Sequence, residues 1–66
     1  MALLMELDVV VQRAQEEFRE MPGLGLTLAQ ASRLWGLEAE TCRAVIGTLV
    51  STGFLRWTPG GVVVRA

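Results

Sequence analysis

Along the first third of the chain, apolar residues recur at steps of three and four: Leu4, Leu7, Val11, Ala14, Phe18 and Met21. That spacing lines one face of an α-helix. Gln12, Arg13, Gln15, Glu16, Arg19 and Glu20 fill the opposite, polar face, while Val9 and Val10 widen the apolar side. Pro22-Gly23 stops the pattern, because proline cannot continue a helix. A first helix is therefore predicted at about residues 6–21.

Leu24 and Leu26 alternate with glycines, which predicts a short extended piece. Thr27 and Gln30 have the T-x-x-Q spacing of a capping box, in which each side chain satisfies a backbone amide of the first helical turn. A second helix follows at about residues 28–35, with Leu28, Ala31 and either Leu34 or Trp35 turned inward. Gly36 stands where a left-handed C-terminal cap favours glycine. Glu38 and Glu40 bring negative charge to the start of a third helix, which complements its dipole. This helix is predicted at about residues 38–52, with Cys42, Val45, Ile46, Leu49 and Val50 as its buried face and Gly53 just past its end. Two short helices joined by a tight glycine turn make a helix-turn-helix unit.

Two β-branched or aromatic runs, FLRWT and VVVRA, bracket Pro59-Gly60-Gly61 and predict a hairpin at about residues 54–65. Pro59 and Gly60 suit the central positions of a type II turn. Trp57 then faces Val62, and Leu55 faces Val64. By the period of two, Leu55, Trp57, Val62 and Val64 share one face, and Arg56 and Val63 point away. The expected core unites Phe18, Leu34, Val45, Ile46, Leu49 and Leu55.

Composition narrows what such a chain does. A domain of 66 residues buries only about 60% of the surface its unfolded form exposes, so it needs dense packing, a staple or a partner. Cys42 is the single cysteine and histidine is absent, which rules out an internal disulfide and a Cys/His zinc site. With 52% hydrophobic residues, packing and self-association are left. The lone thiol reads as a small core residue. The apolar start, MALLMELDVVV, lacks a positive leader region and is broken by Glu6 and Asp8. It reads as neither a secretory signal nor a membrane span, so a cytoplasmic location is expected.

Helix, short strand, helix, glycine turn, helix, glycine and hairpin succeed one another along the chain, all but the first helix within LTLAQASRLWGLEAETCRAVIGTLVSTGFLRWTPGGVVVR. This stretch resembles the winged helix-turn-helix family. The resemblance rests on Ala31 in the small helix, the Gly36-Leu37 turn, the exit from Leu49-Val50 through Gly53-Phe54-Leu55, and Arg65 at the end of the hairpin. It covers about Leu24 to Arg65, and the first helix fits the extra N-terminal helix of many members. It implies a mainly α fold of one domain over residues 1–66, with three helices and a two- or three-stranded antiparallel wing.

It also implies that the third helix is the recognition helix. DNA contacts would come from Arg43, Thr41 and Thr48 on that helix, from Arg33 on the second, and from Arg56 and Arg65 on the wing. The wing tip, Pro59-Gly60-Gly61, carries no charge, and Arg56 is followed by Trp57.

Two function classes remain open. One is a small DNA-binding transcription regulator, homodimeric through the first helix, where Leu4, Leu7 and Val11 offer apolar surface. The other is a winged-helix module that binds protein without binding DNA, with Trp57 as an interface anchor. The net charge of −1 favours the second class, since phosphate contacts usually demand a basic excess. The uneven placement favours the first: Arg33, Arg43, Arg56 and Arg65 lie in the helix-turn-helix and wing, whereas Glu6, Asp8, Glu16, Glu17 and Glu20 crowd the first helix. Arg43 stands three residues after Glu40, so a solvated surface pair is its plain alternative. Gly47, a mid-helix glycine, costs about 1 kcal/mol relative to alanine and suggests close approach by DNA, a partner or the second helix. Neither metal, cofactor nor small-molecule ligand is implied. With no His, Lys or Tyr and no G-x-G-x-x-G loop, an enzyme is not expected.

Overall fold

The computed structural model describes the backbone of residues 2–66 and the side-chain surroundings of residues 8–66. Three helices, α1 (Ala2–Glu20), α2 (Leu28–Trp35) and α3 (Ala39–Ser51), pack with three short strands, β1 (Leu26–Thr27), β2 (Leu55–Trp57) and β3 (Val62–Arg65). The strands form one antiparallel sheet in the order β1-β3-β2. The layout is that of a winged helix, mainly α with a small sheet.

α1 begins at Ala2 rather than near Glu6. Residues 2–7 read Ala-Leu-Leu-Met-Glu-Leu, all strong helix formers, and nothing there breaks the helix. Its last backbone bond runs from Met21 N–H to the Glu17 carbonyl at 3.0 Å. Met21 therefore sits past the helix and is 49% exposed, not on the buried face where its spacing placed it. Ala14 and Phe18 are fully buried, with Val10 and Val11 half-buried against the same core.

The capping box is formed in full. Thr27 Oγ1 accepts from Gln30 N–H at 3.1 Å, and Gln30 Oε1 accepts from Thr27 N–H at 3.0 Å. Gly36 closes α2 with φ 65°, a conformation that favours glycine. Within α2 the inward residues are Ala31 and Trp35. Leu34, expected in the core, is 50% exposed. An eight-residue helix has little over two turns, so it buries one narrow stripe, and Ala31 with Trp35 defines it. The choice has a cost: the Trp35 indole N–H is buried without an acceptor, as is Ser32 Oγ.

The hairpin register is shifted by one residue from the expected one. Leu55 pairs with Arg65, Arg56 with Val64, and Trp57 with Val63. The turn decides this. Gly61 N–H bonds the Thr58 carbonyl at 3.0 Å, and Thr58 N–H bonds the Val62 carbonyl at 2.7 Å. Gly61, not Gly60, holds the positive φ of 82°. The loop is thus three residues long, a turn followed by a left-handed glycine. Thr58 Oγ1 secures it by accepting from Val62 N–H at 3.2 Å. The extra loop residue moves Val63 to the core side, where it is fully buried. Val62 and Val64 move to the outer face and are half-buried.

The core sits where α3 meets everything else. Cys42, Val45, Ile46 and Leu49 are buried on its inner face, against Phe18, Trp35, Leu55 and Val63. Ile46 is fully buried. Ile46→Ala is therefore expected to destabilise the domain by about 2–5 kcal/mol as a core truncation, read from urea unfolding. A loss under about half a kcal/mol, the range of surface substitutions, would place Ile46 outside the core.

Candidate nucleic-acid interface

With its inner face buried, α3 turns Glu40, Thr41, Arg43, Ala44, Gly47, Thr48 and Ser51 outward, all exposed. Apart from Glu40 and Arg43 these are small. A Cβ added at Gly47 would meet nothing within 4 Å. No contact inside the domain requires a glycine there, and α2 does not approach it.

Two of the hydroxyls on this helix are already engaged as donors. Thr48 Oγ1 donates to the Ala44 carbonyl at 3.0 Å, and Ser51 Oγ donates to the Thr48 carbonyl at 2.9 Å. The lone pairs of Thr48 Oγ1 are left for an incoming donor, such as an exocyclic amine of a base. Thr41 is exposed at the first turn of the helix.

The other sequence-predicted arginines are distributed over three surfaces. Arg33 is exposed in the last turn of α2, where the negative end of the helix dipole suits a cation. Arg56 lies on the outer face of the sheet, opposite Val64. Arg65 lies at the base of the wing, with its guanidinium 4.2 Å from the centroid of the Phe54 ring. The Arg19 guanidinium is 5.5 Å from the same centroid. A guanidinium over an aromatic face is held by the ring quadrupole, so Phe54 orients Arg65, which stays exposed. Sequence reasoning missed Phe54 and Arg19 here. They are 35 positions apart along the chain, and no local pattern links them.

The predicted interface residues divide as well. Val11 packs half-buried against the core, which uses surface that the sequence had assigned to a partner. The side chains of Leu4 and Leu7 lie outside the described residues. Trp57 is 41% exposed near the tip of the wing. Val9, at 55%, and Leu34 join it as exposed large apolar residues. A mostly apolar concavity of about 460 Å³ opens beside Leu34, lined by Gly25, Leu26, Ala29, Gln30 and Arg33.

The chain matches no family model, no curated protein and no solved structure. Among the described residues, no helix is long and apolar enough to cross a membrane. No group of three or more His, Cys, Asp or Glu side chains is placed to hold a metal ion there.

The open space at Gly47 makes a direct expectation. Gly47→Ala should stabilise the domain by about 1 kcal/mol, the propensity difference in a helix interior, as a raised urea midpoint. A destabilised variant would show that the glycine serves packing within the domain.

Proposed function

We propose that this chain is a small winged helix-turn-helix DNA-binding protein, a transcription regulator that reads duplex DNA with the outer face of α3. The observation that carries the reading is that face itself. It is uncovered along its length, built of small residues around Arg43 and Glu40, and contains a glycine that the domain does not need. Small side chains let a helix approach the floor of a groove, and an arginine among them suits the acceptor pair on a guanine edge. Arg33, Arg56 and Arg65 supply phosphate contacts in this reading, and Thr41 and Thr48 add hydrogen bonds. The protein acts as a homodimer paired through α1, with one α3 for each half-site.

A second reading is favoured by exposed Trp57 and Leu34, apolar side chains that no phosphate contact uses. In it the chain is a protein-docking module without affinity for DNA.

A titration of random duplex DNA at low salt separates the two. The DNA reading predicts weak binding, with a log-log salt slope no steeper than about −4 per chain even if all four arginines, Arg43 included, meet phosphate, at roughly −0.9 per contact. Among duplexes selected from a random pool, Arg43→Ala should erase about 1–3 kcal/mol of base discrimination. Arg56→Ala should weaken all duplexes alike and flatten the slope by about 1. A flat titration at low salt would remove the DNA reading and leave the docking module.

A further inference from the structure

Leu34 lines a groove whose other walls share its character. Ala29 and the edge of Leu26 continue the apolar surface, and Gly25 carries it to the sheet. A Cβ on Gly25 would lie 2.9 Å from Val62 Cγ1 and 3.4 Å from Val64 Cγ1. The glycine therefore lets these two valines close over the start of β1. Arg33 lines the groove, and Arg56 pairs opposite Val64 in the sheet. None of the residues lining the groove is acidic.

The complementary surface is present on the same chain. The outer side of α1, complementary in charge rather than in shape, presents Val9, Gln12, Arg13, Glu16, Glu17 and Glu20. It carries three carboxylates and one guanidinium, with Val9, the most exposed large apolar side chain among the described residues, at one end. Within one molecule this side of α1 faces away from the core, because Ala14 and Phe18 hold the other side.

We infer that the groove between α2 and β1 in one copy receives the outer face of α1 from a second copy, with Val9 against Leu34 and Glu16 directed at Arg33. Val9 and Glu16 are two helical turns apart, so both reach one flank of a partner. The exchange is reciprocal, and a two-fold axis closes the pair with two equivalent contacts. The inference rests on the homodimer proposed above, moves its contact to the outer flank of α1, and pairs Arg33 with Glu16 rather than with phosphate, which lowers the limit on the salt slope to about −3 per chain. A contact between the outer faces of two α1 helices would instead set like charges against each other.

Sedimentation equilibrium of the full chain tests this, with circular dichroism melts to confirm that each variant stays folded. The wild type should be dimeric at high micromolar concentration and should dissociate further as salt screens the charge pairing. Leu34→Glu, at a half-exposed position, should raise the dimer dissociation constant by about tenfold or more. Arg33→Glu, at an exposed position, should also weaken the dimer, and adding Glu16→Arg should restore it, as a charge reversal across a contact does. A wild type that stays monomeric would overturn both the α1 pairing and this inference. A dimer indifferent to Leu34→Glu and Arg33→Glu would leave the α1 pairing standing and overturn the groove as its partner surface.

Discussion

The burial of one face of α3 is the constraint on which the rest of this domain depends. Cys42, Val45 and Ile46 are fully buried and Leu49 nearly so. Phe18 from α1, Trp35 from α2 and Leu55 from the wing all meet on that face. A chain of this size has few other resources. It contains one cysteine, so no internal disulfide restrains the unfolded state, and about 40% of its extended surface stays wet even when folded. Because the inner face of α3 is fully used, its opposite face is fixed outward. The orientation of Arg43 and Gly47 follows from the packing of Ile46 and Val45.

The sheet is the second anchor, and β3 is its centre. Val63 lies between Leu26 and Trp57 in the register and is fully buried. It therefore ties both edge strands to the core. Gly61 makes this possible by accepting a positive φ at the end of the turn. At the far end of β3, Arg65 rests on Phe54, and Arg19 reaches the same ring from α1. The wing is thus held at its base by a cation–aromatic cluster, while its tip carries exposed Trp57 and three uncharged loop residues.

Much of this was legible where the signal is local. The capping box, the left-handed Gly36 and the inner stripe of α3 each depend on residues within a turn or two of one another. Three features were not legible, each for a physical reason. The hairpin register hinged on which of two adjacent glycines takes the positive φ, and both readings fit Pro-Gly-Gly. The choice between Leu34 and Trp35 depended on the direction of a two-turn helix. Both side chains are apolar enough for a core, and adjacent residues of one short helix cannot both face it. The orientation of Arg65 required Phe54 and Arg19 to meet in space. For the candidate site, the exposed residues of α3 were readable from the helical period. The groove beside Leu34 was not, because it exists only once Gly25 has packed against Val62 and Val64.

The functional account turns on whether the uncovered face of α3 meets DNA. A domain of net charge −1 can still present one usable cationic side chain on a helix face of mostly small residues, and that is how Arg43 is placed in the N-terminal half of α3. The most direct test maps the contact residue by residue, by following backbone amide resonances while random duplex DNA is added at low salt. The account predicts that the largest shifts fall on Thr41 to Thr48, with smaller ones near Arg56 and none over Gln12 to Glu17. An unchanged spectrum, or shifts confined to Ala29–Leu34 with α3 silent, would contradict it.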